Sequence, residues 1–288
     1  MEKTDAAASM TRAEAERGYD NRGAVADHGR WLAEFTARSR RAIEVLNPAI
    51  DLRFGAGDKE TLDLFVPGEP ARGTLMFIHG GYWRSMDKSD HAFVAPAFVA
   101  AGYAVAVVNY DLCPGVTIAK IVEQCRHAVR WLERYGAQHG APAPLVIAGH
   151  SAGGHLAAMM FATDWRPFGI ERTPFTGVLT LSGLHDLAPL TLTSINADLR
   201  LDADEARRMS PVNYAPVADA PLAIAVGADE TSEYLRQARL LHDAWAASRG
   251  ERIAAPIVIP GRHHFSAALD LGEPESTLTR TTLALFPR

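Results

Sequence analysis

Short apolar runs alternate with longer amphipathic stretches along most of this chain. Residues 75–78, 104–108, 145–148, 178–181, 222–226 and 257–259 are compact apolar runs of strand length, with the unbroken hydrophobicity of strands buried on both faces. Two earlier segments, 50–54 and 61–66, alternate or run briefly apolar on either side of Gly55-Ala56-Gly57-Asp58, a hairpin signal. Helix-length segments at 91–101, 118–139, 155–163, 232–248 and 277–285 separate most of the runs. An antiparallel opening followed by strand and helix in alternation predicts a mostly parallel eight-stranded sheet with helices on both faces. Ahead of the sheet, residues 11–46 are rich in Ala, Arg and Glu, and Trp31, Leu32, Phe35, Ile43 and Leu46 recur near helical spacing. They read as one or two helices closed by Asn47-Pro48. Residues 186–216 break the alternation with Pro189, a polar helix-like piece at 196–209, Pro211 and Pro216. A small cap-like insertion over the carboxyl ends of the strands is the simplest account, and such insertions shape pockets. The expected organisation is a single domain, with a helical segment at 1–46 packing over the site and a sheet domain at 47–288.

Composition narrows the function classes. A net charge of -5 and a pI near 6.1, without a long run of like charge, argue against a nucleic-acid or anionic-membrane partner and for a small-molecule substrate. No apolar stretch approaches the roughly 20 residues that a membrane span needs. Residues 1–10 are polar and lack the basic region and apolar core of a secretory signal, so a cytoplasmic location is the expectation. Cys113 and Cys125 are too few for a disulfide framework or a structural zinc site.

Two motifs follow apolar runs. Gly149-His150-Ser151-Ala152-Gly153 fits the G-x-S-x-G elbow, in which glycines flank a serine on a tight strand-to-helix turn. Such a turn lifts the Ser151 hydroxyl out of the sheet and sets the Ala152 N–H at a helix N-terminus, where an oxyanion would develop. His79-Gly80-Gly81-Tyr82-Trp83 follows the run at 75–78, and its paired glycines let the Gly81 and Tyr82 N–H groups approach a substrate carbonyl. A serine nucleophile needs a base, and the base an orienting carboxylate. Downstream, Asp229 and Glu230 end the run at 222–226, and His263 and His264 follow the last run and the turn Pro260-Gly261-Arg262. His185 precedes both acids in the chain and His242 falls within a helix, so neither suits the base. A metal at His263-His264 is disfavoured, because adjacent residues rarely converge on one ion. Periodicity leaves both the acid and the histidine open between neighbours.

With H-G-G-Y-W at 79–83, G-H-S-A-G at 149–153, E-T-S-E-Y-L-R-Q at 230–237 and H-H-F at 263–265, the chain resembles the kynurenine formamidase (arylformamidase) branch of the α/β-hydrolase superfamily from about Arg22 onward. It is also similar to bacterial carboxylesterases related to hormone-sensitive lipase, which usually carry H-G-G-G. The resemblance implies the α/β-hydrolase fold. It also selects Glu230, which begins an acid-x-x-E-[FY]-x-R-Q segment, and His264, which immediately precedes a phenylalanine. Animal members often carry Asp where Glu230 stands. The implied activity is acyl transfer to water from an N-formyl amide such as N-formylkynurenine, with Ser151, His264 and Glu230 as the catalytic set and no cofactor or metal. A carboxylesterase acting on short acyl esters is the alternative. A non-catalytic binding protein of this fold is a third reading, and such proteins typically lack the nucleophile or the base. Tyr82, Trp83, His150 and His185 are expected around the substrate. Oligomeric state stays open, with a homodimer as one possibility.

Overall fold

The computed structural model describes residues 10–249 and 253–287. The first nine residues, and with them most of the polar stretch at 1–10, lie outside the described residues. Thr11 opens α1 (Arg12–Tyr19) with a capping box, its hydroxyl accepting from Glu14 N while Glu14 reaches back. After α2 (Asn21–Ala24), the amphipathic α3 (His28–Leu46) buries Phe35, Ser39 and Ala42, and it ends where Asn47 turns left-handed (φ 44°) before Pro48.

The sheet elements are β1 (Ala49–Arg53), β2 (Thr61–Phe65), β3 (Thr74–Ile78), β4 (Ala104–Val108), β5 (Leu145–His150), β6 (Gly177–Leu181), β7 (Leu222–Gly227) and β8 (Ile257–Ile259). They form one eight-stranded sheet of order β1-β2-β4-β3-β5-β6-β7-β8. β1 and β2 pair antiparallel, as do β2 and β4, and every other pairing is parallel. The remaining helices are α4 (Ala95–Ala100), α5 (Ile118–Tyr135), α6 (Ala152–Ala162), α7 (Asn196–Leu199), α8 (Ala203–Arg208), α9 (Ser232–Arg249), α10 (His264–Asp270) and α11 (Thr277–Leu283). One apolar core joins β-strand side chains to Ile121, Leu132, Leu156 and Trp245 of α5, α6 and α9. The other joins the opposite face to Phe35, Phe98, Phe265 and Leu278 of α3, α4, α10 and α11. This is the α/β-hydrolase fold, with helices on both faces of the sheet.

Several boundaries depart from periodicity for local reasons. The helix expected at 91–101 is α-helical only from Ala95, after two 3-10 turns at Lys88–Asp90 and Ala92–Val94. Pro96 has no N–H to give and a fixed φ, so it fits only the first turn of a helix. The piece expected at 196–209 is two helices, because Arg200 turns left-handed (φ 55°) and Asp202 caps a new start by accepting from Glu205 N. α5 gives way at Gly136 to a 3-10 turn at Gly136–His139. Among the described residues, no helix is long and apolar enough to cross a membrane.

Candidate active site

β5 ends at His150 and α6 begins at Ala152, so Ser151 alone makes the turn, at φ 58° and ψ -120°. Close packing demands the flanking glycines. A Cβ on Gly149 would lie 2.0 Å from the Gly153 carbonyl oxygen, and one on Gly153 would lie 2.0 Å from that of Ile78. The turn is pinned by the Ser151 N–H donating to Leu181 O (2.9 Å) and by Ser151 O accepting from His155 N (3.1 Å).

The other chemically active groups come from the ends of β7 and β8. Glu230 is buried; its Oε2 lies 2.7 Å from His264 Nδ1, while its Oε1 accepts from Gly227 N (2.8 Å) and from the Ser182 hydroxyl. A buried carboxylate with both oxygens occupied by donors is held in one orientation. Asp229 is exposed, and its backbone N–H donates to Arg262 O (2.9 Å). His263 is the N-cap of α10: its Nδ1 accepts from Phe265 N and Ser266 N, both at 3.3 Å, and its ring meets Trp31 edge-on. His264, the first residue of that helix, shares one cavity with Ser151. With Nδ1 facing Glu230, its Nε2 is the nitrogen left for chemistry there.

The loop after β3 is wound through a run of left-handed residues: Gly81 (φ 110°), Tyr82 (φ 52°), Trp83 (φ 56°) and Met86 (φ 71°). A side chain on Gly81 would also collide with Ser85 O at 2.1 Å. The Gly81 carbonyl is turned inward, accepting from Arg84 N, Ser85 N and Ser85 Oγ. The N–H groups of Gly81, Tyr82 and Ala152 donate to no protein acceptor among the described residues. Tyr110 fixes the loop from below, donating to His79 O (2.8 Å) and stacking on the His79 ring at 4.2 Å.

The fold agrees with that of known proteins. The BD-FAE family model matches residues 62–245. The chain belongs to the BD-FAE family. It is 29% identical over 271 residues to the kynurenine formamidase of Salmo salar, covering 91% of this chain and 89% of that relative. A solved structure from Silicibacter sp., described as a candidate thioesterase, is 33% identical with a TM-score of 0.84, covering 94% of this chain and 99% of the other. Esterase B of Lactobacillus rhamnosis, at 19% identity and a TM-score of 0.67 over 91% of this chain and 96% of its own, shares the fold. The protein is thus a hydrolase enzyme of the α/β-hydrolase type, similar to kynurenine formamidases and esterases.

In this BD-FAE member, the cavity in front of Ser151 measures about 410 Å³, and its apolar wall includes Leu32, Phe35, Met86, Ile195 and Phe265. Tyr82 and His150 also line it, but Trp83 and His185 do not, which corrects their expected place around the substrate. Trp83 is fully buried and donates from Nε1 to His155 Nδ1 (3.2 Å), while His155 Nε2 donates to Met209 O (2.7 Å). Its large apolar surface is spent on anchoring the loop. His185 is equally buried against Thr180 Oγ1 (3.2 Å). His150 is engaged too: a carbonyl can only accept, so its Nε2 is protonated and donates to His264 O (3.0 Å). Burial first, then the nearby His264, holds its pKa well below the ordinary imidazole value. Among the described residues no group of three or more His, Cys, Asp or Glu is placed to hold a metal.

Periodicity gave no sign of the link between this site and the N-terminal segment. The Tyr19 hydroxyl donates to Glu233 Oε2 (2.9 Å) and accepts from Gln237 Nε2 (2.8 Å). The Tyr19 carbonyl accepts from the Tyr82 hydroxyl at 2.6 Å, and Asn21 Nδ2 donates to the Tyr234 hydroxyl at 2.7 Å. Glu233, Tyr234 and Gln237 all sit inside the 230–237 motif, whose polar side chains at helical spacing were the available signal.

Proposed function

We infer that this hydrolase cleaves an N-formyl arylamine of the N-formylkynurenine type, with Ser151 as nucleophile, His264 as general base and Glu230 as its orienting acid. The observation that carries the substrate is the similarity to a kynurenine formamidase across 91% of the chain. The 2.7 Å contact from Glu230 to His264 Nδ1, and the cavity shared by His264 and Ser151, support the roles. His264 Nε2 takes the Ser151 proton as the hydroxyl oxygen adds to the formyl carbon, and Glu230 stabilises the imidazolium. The N–H groups of Gly81, Tyr82 and Ala152 receive the carbonyl oxygen as it becomes anionic. The C–N bond then breaks, with His264 returning the proton to the departing arylamine. Water, deprotonated by the same nitrogen, attacks the formyl-serine and releases formate.

The test is kcat/KM on N-formylkynurenine beside a short-chain p-nitrophenyl ester, using the full chain. The formamide is expected to be the better substrate, and a large excess for the ester with negligible formamide cleavage would replace this reading by a carboxylesterase. Ser151→Ala is expected to lower kcat by on the order of 10⁴-fold or more while leaving the circular-dichroism spectrum intact. Retained turnover in a clean preparation would remove Ser151 from the mechanism.

A further inference from the structure

Tyr82 stands in the loop after β3 with a backbone conformation that side chains disfavour. Gly81, Tyr82 and Trp83 are all left-handed, at φ 110°, 52° and 56°. A glycine adopts such a φ freely, whereas a residue with a Cβ holds it only where its surroundings over-determine it. Trp83 has several ties: its carbonyl accepts from Cys113 N (2.8 Å), and its indole donates to His155 Nδ1 in α6, the helix that follows Ser151. Tyr82 has none of that kind. Among the described residues its backbone N–H and carbonyl have no protein partner, and every hydrogen bond it makes passes through its hydroxyl. That hydroxyl is fully engaged. It donates to the Tyr19 carbonyl (2.6 Å), which can only accept, so the 2.7 Å contact with the Tyr234 hydroxyl is a bond that Tyr234 donates. Asn21 Nδ2 donates to Tyr234 at 2.7 Å and lies 3.5 Å from the Tyr82 hydroxyl itself. Tyr19, Asn21 and Tyr234 are all buried, so water has little access to replace any of these partners.

We propose that Tyr19, Asn21 and Tyr234 are positioning residues, a clamp on the Tyr82 hydroxyl that keeps the Tyr82 N–H aimed at the place of the oxyanion. The inference rests on Ser151 as nucleophile and on that N–H as an oxyanion donor. The Tyr82 side chain is the lever: its hydroxyl end is fixed on the last residue of α1, the first of α2 and α9, while its neighbour Trp83 is fixed on α6. The peptide between Gly81 and Tyr82 is thereby held against flipping. Preorganisation of this kind counts in the transition state, where the carbonyl oxygen carries charge, and little in the ground state, where it does not. The N-terminal segment thus takes part in catalysis through one backbone carbonyl and one side-chain amide.

The test compares Tyr82→Phe with wild type in the full chain, since that change keeps the ring and removes only the hydroxyl. It reads kcat on N-formylkynurenine, the Ki of kynurenine as product, and the Ki of phenylboronic acid, whose tetrahedral adduct with Ser151 puts an oxygen where the oxyanion would lie. kcat and phenylboronate affinity are each expected to fall by about ten-fold, short of the loss on the order of 10²–10³ that follows outright removal of an oxyanion donor. The kynurenine Ki is expected to stay within about two-fold, because the product carries no oxyanion. A merely structural loss would weaken both inhibitors together. Unchanged kcat and boronate affinity, or equal weakening of boronate and kynurenine, overturns the proposal. Should Tyr82→Phe fail to fold, Tyr234→Phe, which withdraws the donor to Tyr82 and leaves the Tyr19 bond, decides by the same split between the inhibitors. Ser151→Ala separates the clamp from the reading beneath it: phenylboronic acid that binds this variant as tightly as wild type removes the nucleophile assignment, whatever Tyr82→Phe shows.

Discussion

Asp229 and Glu230 are adjacent carboxylates in opposite surroundings. Asp229 projects into solvent, whereas Glu230 is buried with one oxygen on His264 and the other on Gly227 N–H and the Ser182 hydroxyl. The division falls in the turn after β7, where Glu230 folds back to accept from Gly227 N–H and is buried while Asp229 is exposed. A neutral amide in place of Glu230 would neither fix the His264 tautomer nor stabilise its cation. Glu230→Gln is therefore expected to lower kcat by on the order of 10⁴-fold. Asp229→Asn, a change to a solvated charge, should leave kcat within about two-fold; steady-state rates on the formamide check both, and a comparable loss in Asp229→Asn would reverse the assignment. Residue types and chain order picked out the neighbourhood of this site but could not choose between neighbours. His263 and His264 are alike as letters, and only three dimensions make the first a helix cap and the second a cavity residue. Trp83 and His185 misled for the opposite reason: a chemically able side chain beside a motif is no guide to whether burial has already claimed it.

At the scale of elements, α1 is tied to α9 and to the loops beside it by polar contacts, those of Tyr19 being buried. Tyr19 donates to Glu233 and accepts from Gln237, while Thr231 Oγ1 donates to Gly18 O and Glu16 accepts from Ser194 N (2.6 Å). Removing the Tyr19 hydroxyl leaves Gln237 Nε2 and Glu233 Oε2 short of a partner where water has little access. Tyr19→Phe is expected to cost about 2 kcal/mol of stability, read from the urea midpoint at unchanged m-value; a midpoint equal to wild type would mean that water replaces the hydroxyl. No pattern of apolar spacing foretells such a tie, since it joins polar residues more than two hundred positions apart. The strands, by contrast, were all legible. β3 to β7 are short apolar runs ended by turn residues and buried on both faces, whereas the edge strands β1 and β8 are more exposed and are legible from a hairpin signal and a brief apolar run. Helix starts were less so, because α10 begins on a histidine cap and α6 begins with two glycines, Gly153 and Gly154, directly after its first residue.

The molecule as a whole carries an acid liability in its buried histidines. Burial depresses His91 to about 3, with His79 adding to the shift, and His185 to about 3, with His155 adding. Burial takes His155 to about 4 and lowers His79 and His150 as well. An imidazole whose folded pKa lies below its unfolded value near 6.5 is protonated first in the unfolded chain. Its contribution to stability is thus intact above about pH 6.5 and is lost as pH falls toward the folded pKa. Each such group contributes a slope of about 1.4 kcal/mol per pH unit. Several acting together exhaust an ordinary folding stability of about 5–15 kcal/mol within a few pH units. Asp87, held down to about 2 against burial by Asn109, Ser89 and Lys59, loses its own stabilising effect only as pH falls from about 4 toward 2, below the histidine window. Cooperative unfolding is accordingly expected between about pH 6 and pH 4, ahead of most carboxylate titration. His91 packs among Phe35, Phe77 and Phe93; its Nδ1 donates to Asp87 O (3.1 Å), and its Nε2 has no hydrogen-bond partner among the described residues. His91→Phe should therefore fit the site and remove one proton from the transition. The slope of unfolding free energy against pH, taken from urea titrations between about pH 5 and pH 6.5, is expected to fall by about 1.4 kcal/mol per pH unit in this variant. An unchanged slope would mean that His91 titrates normally in the folded protein and that the acid sensitivity arises elsewhere.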